Sequence, residues 1–410
     1  MAIELLSPAG NYEKLVTAFN YGADAAYMGL TNFSLRANAG NFTEKDIENV
    51  IKLKKETGKK LYCTMNIVFK EGQIEKLHTM KDEIASWPFD AFIISDIGAA
   101  PFFKKNFPEK EIHLSTQASC INSEAAKMYY DMGFKRVILG REASLDDIKK
   151  IKDKIPELEL EAFVHGAMCM AYSGRCILSA HLAGRSGNQG DCSHTCRWNY
   201  KMHYAIEEEE RKGIYYPIEE HDGYTTILSS KDLCMIDHVK ELEDAGLSSL
   251  KIEGRMKSIY YVAVVTRAYR KALDRDPELD KFKRDLFDVS HREYTTGFFF
   301  SKGPVEGGDD VSRPTSYGYE RNYTFLGSIG EKTGDGIYRL NCKNQIKAGQ
   351  SLEFIGPDVP LLTADKYMLL DKDGFPLLQI DHGKEGYIKT DVPLKPGYIM
   401  RREQTEEKYV

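Results

Sequence analysis

Short apolar segments rich in β-branched residues alternate with amphipathic segments through about the first 260 residues of the chain. In the amphipathic segments 11–22, 43–58 and 122–133, apolar residues lie three or four positions apart and a glycine follows, the pattern of a helix and its C-cap. Repeated strand–helix alternation predicts an α/β fold, and eight repeats favour a (β/α)₈ TIM-barrel-like domain over an open doubly wound sheet. The predicted strands are 3–10, 25–30, 60–68, 91–96, 111–119, 136–142, 158–166 and 248–255.

The spacing of the last two predicted strands indicates an insertion. About 80 residues separate them, where a single helix would suffice. We therefore predict a cysteine-rich insertion after strand seven, over about residues 167–247. Its second half, 199–230, alternates in the manner of a β-hairpin, with the acidic run 207–213 as the exposed turn.

The end of the chain has a different pattern. After a helical segment at 257–274, the stretch "HREYTTGFFFSKGP" (291–304) is predicted to lead away from the barrel. From about Tyr319, short strand-like segments alternate with glycine-rich turns. The predicted domains are a barrel domain at 1–300, a linker at 301–318 and a small C-terminal antiparallel β-barrel domain at 319–410.

Charge and the distribution of apolar residues bear on location and partners. The formal net charge of −6 gives no global attraction to nucleic acid or to anionic membranes, so RNA binding would need a local basic patch. The first residues lack the basic and apolar regions of a signal peptide, and no run of 18 apolar residues occurs, so we expect a cytoplasmic protein without membrane association. Cysteines of a cytoplasmic protein are more often metal-binding or catalytic than disulfide-bonded.

Four of the eight cysteines fall in the insertion, as Cys169-x6-Cys176-x15-Cys192-x3-Cys196, and Cys234 follows. Sets of four cysteine thiolates typically bind a zinc ion or an iron–sulfur cluster. Only Cys192 and Cys196 approach the paired spacing of structural zinc sites, and the many glycines nearby would let the backbone turn around a cluster. The spacing leaves three interpretations of these cysteines open: ligands of an iron–sulfur cluster, ligands of a zinc ion, or unligated or catalytic thiols. The remaining cysteines, Cys63, Cys120 and Cys342, are predicted to be small core or surface residues.

Polar side chains gather at the carboxyl ends of the predicted strands, which form the catalytic face of such barrels. His165 directly precedes the cysteine segment and could act as an acid, a base or a ligand, or only as a hydrogen-bonding neighbour of the site. Guanidinium groups suit carboxylates and phosphates, so the set favours an anionic small ligand, although some arginines could simply pair with Asp96, Glu142 or Glu253. The strand-end residues are Ser7, Asn66, Ser95, Asp96, Ser115, Gln117, Arg141, Glu142, His165, Glu253 and Arg255, with Arg36, Arg175, Arg185 and Arg197 expected nearby.

Long motifs resemble those of a known family. The run "EAFVHGAMCMAYSGRCILS" (161–179) resembles the signature of the collagenase-like peptidase family, the unassigned family numbered thirty-two. Similar motifs are "LSPAGNYEKLVTAFNYGADAAYMG", "GDCSHTCRWNY" (190–200) and "SLKIEGRMKS" (249–258), so the resemblance spans nearly the whole chain. The length and the C-terminal β domain resemble the tRNA-hydroxylating branch of the family.

The resemblance implies an oxygen-independent hydroxylase with a 4Fe–4S cluster. It implies formation of 5-hydroxyuridine at the wobble position of tRNA, with prephenate as the hydroxyl source, and leaves a paralogous partner chain open. The cluster ligands would be Cys169, Cys176, Cys192 and Cys234, with Cys196 as the alternative fourth ligand. The residues expected to act in the reaction are His165, Arg141, Arg255 and Glu253.

Two rival hypotheses remain at the level of the sequence. The first is a hydrolase in the family's original sense, cleaving collagen-like or other peptides, for which no clear pair of nucleophile and base is found. The second is a non-catalytic module in which zinc stabilises the insertion and the β domain binds RNA or a partner. The chain has no zincin, serine-hydrolase or P-loop motif to support those chemistries.

Overall fold

The computed structural model describes residues 2–30, 33–34, 42–168, 173–175, 206–207, 215–216, 219–221, 224–226, 231–300 and 321–404. These residues belong to two compact units. The first unit comprises Met1–Phe19, Ala23–Lys257 and His291–Tyr319. The second comprises Asn20–Gly22, Ser258–Ser290 and Glu320–Val410.

A closed barrel of eight parallel strands forms the centre of the first unit. Seven strands pair in sequence order, and the eighth closes the barrel by pairing with both the first and the seventh. All eight predicted strands are therefore present, and the predicted α/β barrel is confirmed. The barrel strands are β1 Glu4–Pro8, β2 Ala25–Met28, β3 Lys60–Met65, β4 Ala91–Ile94, β5 Glu111–Leu114, β6 Arg136–Ile138, β7 Glu159–Ala167 and β13 Ser249–Ile252.

Helices connect the barrel strands, as the helical spacing predicts. Helix α2 ends at Gly58, whose φ of 66° is the left-handed conformation of a glycine C-cap. Helix α7 begins with a capping box in which Ser144 and Asp147 bond each other's backbone N–H groups. The helices of this unit are α1 Tyr12–Asn20, α2 Ile47–Thr57, α3 Glu71–Thr79, α4 Lys81–Ser86, α5 Ala100–Asn106, α6 Ser123–Asp131, α7 Leu145–Lys154 and α8 Val239–Asp244.

Antiparallel pairing in the predicted hairpin is confirmed at the residues that the structure describes, where Ile206–Glu207 (β8) pairs with Tyr215–Tyr216 (β9); the predicted exposed turn between them lies outside the described residues. A second short hairpin joins Glu219–His221 (β10) to Tyr224–Thr226 (β11). The next strand, β12 (Asp232–Cys234), adds antiparallel to the carboxyl end of β7. The insertion thus extends the barrel sheet at the catalytic face.

The prediction that residues 291–304 lead away from the barrel is wrong for the part that the structure describes. Tyr294–Thr295 forms strand β14, which pairs parallel with β12. The N–H of Leu145 donates to the carbonyl of Phe299 at 2.9 Å. Burial of the apolar Phe299 side chain explains why this segment stays packed on the barrel unit.

The second unit is built around an eight-stranded antiparallel sheet, in the order 362–364, 352–355, 399–403, 323–334, 337–342, 385–389, 368–370 and 376–377. Its core includes Leu326, Phe354, Ile388 and Met400. Two helices, α9 Ile259–Leu273 and α10 Leu279–Lys283, belong to this unit although they precede its strands along the chain. Its strands are β15 Tyr323–Gly334, β16 Ile337–Cys342, β17 Ile346–Lys347, β18 Leu352–Ile355, β19 Leu362–Ala364, β20 Met368–Leu370, β21 Pro376–Leu377, β22 Gln379–Ile380, β23 Glu385–Lys389 and β24 Ile399–Glu403.

The curled antiparallel sheet confirms the predicted β domain at the end of the chain. The exact domain boundaries stay a prediction, because residues 301–320 lie outside the described ranges. Among the helices that the structure describes, none combines the length and the apolar character needed to cross a membrane.

Candidate active site

Arg141 lies just beyond the end of β6, at the catalytic face of the barrel. Its guanidinium carbon is 4.0 Å from the centre of the Phe163 ring, which β7 places beside it. Stacking on an aromatic face orients the planar guanidinium group. Within the described part of the chain, Arg141 forms no ion pair with a carboxylate, and its buried Nε has no hydrogen-bond partner. Arg141 is thus an oriented cation that is well placed to bind an anionic ligand.

The neighbouring Glu142 forms hydrogen bonds with Ser173 of the insertion. Its Oε1 accepts a hydrogen bond from the N–H of Ser173 at 2.8 Å and lies 3.4 Å from the Ser173 hydroxyl. The Ser173 hydroxyl in turn accepts from the N–H of Arg141 at 3.3 Å. Among the described residues, no arginine pairs with Glu142.

His165 is placed on β7, at the same end of the barrel. It is 1% exposed, and its ring centre lies 5.3 Å from that of Tyr294. Burial, with the positive charges of Lys257 and His291 adding to it, lowers the pKa of His165 to about 3. The imidazole is therefore neutral near pH 7 and only weakly basic, so it suits hydrogen bonding better than proton transfer.

Cys234 is opposite His165 in the antiparallel pairing of β12 with β7. It is half-buried. Burial, followed by the charges of Cys234 and Asp232, raises the pKa of Tyr294 well above its ordinary value. Tyr294 also stacks on His291, with ring centres 4.5 Å apart. The structure thus brings a thiol, two imidazoles and a phenol together where the insertion joins the barrel.

Glu253 and Arg255 follow the last barrel strand. The N–H of Glu253 donates to the carbonyl of His165 at 2.8 Å, which ties the ends of β13 and β7 together. The buried guanidinium of Arg255 donates to the hydroxyls of Ser34 at 2.5 Å and Thr64 at 2.9 Å. These two hydroxyls help to fix Arg255 at the carboxyl ends of the barrel strands.

Two of the predicted strand-end residues, Ser95 and Asp96, form hydrogen bonds with backbone groups of nearby loops. The Ser95 hydroxyl donates to the carbonyl of Ile67, and the Asp96 carboxylate accepts from the N–H groups of Phe69 and Gly98. These bonds shape the connections that follow β3 and β4. Asp96 accordingly has a structural role, and no arginine in the described residues pairs with it.

The other strand-end residues lie where the alternation places them. Asn66 donates to the Ser115 hydroxyl at 3.4 Å, and Ser115 also accepts from the N–H of Gln117. Ser7 is fully buried at the end of β1. Arg175 is exposed, two residues after Ser173.

Several predicted residues lie outside the described ranges, so the structure does not test them. They include the proposed ligands Cys169, Cys176 and Cys192, the alternative ligand Cys196, and Arg36, Arg185 and Arg197. The cysteines that were set aside as core or surface residues, Cys63, Cys120 and Cys342, are all buried.

The sequence analysis missed an ionic layer inside the barrel. Arg136 on β6 bonds Glu4 at 2.6 Å, Glu159 at 2.8 Å and Glu161 at 3.0 Å. Lys251 on β13 bonds the other oxygen of Glu161 at 2.7 Å. Burial favours the neutral form of Glu161, but the charges of Lys251 and Arg136 outweigh it and hold the pKa of this carboxyl below its ordinary value. Charged residues at alternate positions of otherwise apolar strands were the available signal.

Comparison with known proteins identifies the family. Residues 10–308 match Peptidase family U32, and residues 321–401 match the Peptidase family U32 C-terminal domain. The chain belongs to peptidase family U32.

Relatives within this family carry different names. The chain is 37% identical over 397 residues to "tRNA hydroxylation protein P" of Escherichia coli (strain K12), covering 86% of each chain. It is 35% identical over 411 residues to "tRNA hydroxylation protein P1" of Bacillus subtilis (strain 168), covering 97% of this chain and 94% of the relative. It is also 31% identical over 317 residues to "Collagenase" of Porphyromonas gingivalis (strain ATCC BAA-308 / W83), covering 73% of this chain and 74% of the relative.

Proposed function

We propose that this U32 protein is an RNA-hydroxylating enzyme that forms 5-hydroxyuridine at the wobble position of tRNA. The observation that carries the proposal is the similarity, over most of both chains, to relatives named as tRNA hydroxylation proteins. A further relative, 36% identical over 272 residues, is named as a 23S rRNA 5-hydroxycytidine C2501 synthase. The names of these three relatives share hydroxylation of RNA.

The proposed cofactor is a 4Fe–4S cluster held by Cys169, Cys176, Cys192 and Cys234, with Cys196 as the alternative fourth ligand. Among these thiols the structure describes Cys234, and its half-buried position beside His165 at the catalytic face fits a thiolate ligand. A bound cluster would supply redox chemistry at this face. Neutral His165 would offer a hydrogen bond at the edge of the same site.

The proposed hydroxyl source is a small dicarboxylate such as prephenate. Arg141 supports this choice, because its guanidinium is oriented by Phe163 and is not neutralised by a carboxylate of the described residues. Arg255 would add a second positive charge at the mouth, and Glu253 would hold the adjoining backbone. Two guanidinium groups at one barrel mouth suit two carboxylates of one ligand.

Nucleoside mass spectrometry of tRNA from a deletion strain tests the proposal. We expect 5-hydroxyuridine-derived nucleosides to disappear, to return with the wild-type gene, and to stay absent with a Cys234→Ser variant. A Cys342→Ala variant is the matched control, since this buried thiol lies in the core of the second unit. An unchanged nucleoside profile in the deletion strain would refute the proposed function.

Peptide hydrolysis is the second candidate function, because one relative is named a collagenase. A peptidase would cleave collagen-like substrates after purification and lose that activity in a Cys169→Ala variant. Cleavage that persists in this variant would point to a contaminating protease.

A further inference from the structure

Residues 173–175 form a turn that packs against the ends of two barrel strands, and every polar group that Ser173 offers is bound there. Its N–H donates to Glu142, and its hydroxyl lies within hydrogen-bond distance of Glu142 and the N–H of Arg141. Its carbonyl accepts from the hydroxyl of Ser119. Ser173 is only 3% exposed, so a segment of the insertion is tied into the barrel at this point.

The backbone around this contact is specialised for close approach. Gly174 has a φ of +74°, and a Cβ atom on it would lie 2.0 Å from the carbonyl oxygen of Gln117. On the barrel side, Ser119 adopts a φ of 54°, an uncommon conformation for a residue other than glycine. An uncommon conformation at Ser119, opposite a glycine that leaves no room for a Cβ atom, indicates that the close contact itself is required.

We infer that Glu142 is a positioning residue that anchors the Ser173–Gly174 turn and thereby fixes the cysteine segment relative to Arg141. Cys169 precedes Ser173 by four residues and Cys176 follows it by three, so both thiols are tethered closely to the anchor. The same serine bonds the backbone of Arg141, so one contact joins the cysteine segment to the predicted anion-binding residue. The inference rests on the proposed function only where it treats these thiols as cofactor ligands.

Hydrogen exchange of the full-length, metal-free protein tests the anchor without any cofactor. In a Glu142→Ala variant, we expect the amides of residues 173–175 to exchange roughly tenfold faster, as follows from losing a charge-assisted hydrogen bond. In Glu142→Gln the amide oxygen still accepts from Ser173, so exchange should stay close to wild type.

Asp147→Ala is the matched control, because Asp147 also accepts from the N–H and hydroxyl of a serine, Ser144, at 3.0 and 2.7 Å. It should leave exchange at 173–175 unchanged. Gly174→Ala should accelerate exchange there, whereas Gly58→Ala should not, since Gly58 shares the positive φ but has open space around it. Wild-type exchange at 173–175 in both Glu142→Ala and Gly174→Ala would overturn the inference.

Iron retention after anaerobic preparation then tests the link to the thiols. We expect less iron in Glu142→Ala than in Glu142→Gln and wild type; if the wild type retains iron, an equal amount in all three would refute the positioning role. Wild-type protein without iron would instead refute the proposed cofactor, and the exchange measurements would still decide whether the anchor exists.

Discussion

At the scale of single residues, Arg141 shows how a neighbouring aromatic ring orients a cation at the carboxyl ends of the barrel strands. The Phe163 ring fixes the guanidinium plane, and the adjacent Glu142 is occupied by Ser173 instead of neutralising it. The sequence could place both residues at the end of the same strand. It could not tell them apart, because both side chains were equally able to bind a ligand, a partner strand or each other.

Replacing Arg141 should weaken binding of a carboxylate ligand. Arg141→Lys keeps the charge but loses the planar fork and the stacking on Phe163, so we expect prephenate to bind roughly tenfold more weakly, and more weakly still to Arg141→Ala. Titration calorimetry of the full-length, metal-free protein provides the measurement. Arg339→Ala is the control, because this exposed arginine belongs to the second unit. Unchanged affinity in Arg141→Ala would rule out this residue as the carboxylate anchor.

At the scale of elements, the barrel strands were predictable because burial on both faces gives them continuous apolar runs. The pairing of β14 with the barrel sheet was not predictable, since a strand of two residues has no periodic signal. The pairing accompanies burial of Phe299, which depends on contacts with residues distant in sequence. The cluster ligands also stay a prediction. Thiol spacing defines candidates, but ligation depends on how the insertion folds, and that is not encoded in the spacing of cysteines alone.

The ionic layer inside the barrel depends on Glu161, which bonds both Arg136 and Lys251. Glu161→Ala leaves these two buried cations with less compensation, so we expect the free energy of unfolding to fall by about 3–5 kcal/mol. Urea denaturation measures the change. Asp131→Ala is the control, because its ion pair with Lys127 is exposed and should contribute about 0.3–0.5 kcal/mol. A loss in Glu161→Ala no larger than in the control would show that the layer adds nothing to stability.

His113 on β5 should make the barrel sensitive to mild acid. Burial lowers the pKa of His113 below its ordinary value of 6.5, although its 3.1 Å hydrogen bond to Glu111 opposes the shift. Below about pH 6.5, His113 binds a proton in the unfolded chain but stays neutral in the folded barrel. The free energy of unfolding should therefore decrease as the pH falls. His165 contributes in the same direction.

The slope of stability against pH between about pH 7 and about pH 5 tests this effect, because one proton contributes at most about 1.4 kcal/mol per pH unit. His113→Gln should flatten the slope measured by urea denaturation, even if the variant is less stable at every pH. Parallel curves for the variant and the wild type would show that His113 is not the responsible group.

At the scale of the whole molecule, the two units take their residues from interleaved parts of the chain. Helices α9 and α10 follow the last barrel strand in sequence, yet they belong to the unit that contains the C-terminal sheet. Buried ion pairs explain this assignment. Asp285 bonds Arg267 of α9 and, at 2.8 Å, Arg401 of β24. A helical period identifies such helices from sequence, but not the sheet on which they pack.

Removing the charge of Asp285 should therefore weaken the second unit as a whole. Asp285→Asn leaves Arg267 and Arg401 buried with less compensation, and we expect a loss of about 3–5 kcal/mol in the free energy of unfolding. Hydrogen exchange should accelerate in β15 and β24, which pair with each other in this unit. Asp274→Asn provides the comparison, because its i,i+4 ion pair with Arg270 at the C-terminal end of α9 is partly exposed, and such pairs contribute about 0.3–0.5 kcal/mol. Equal losses of unfolding free energy in the two variants would mean that the ion pairs of Asp285 do not stabilise the packing of helix α9 on the sheet. Apolar contacts alone would then explain that packing.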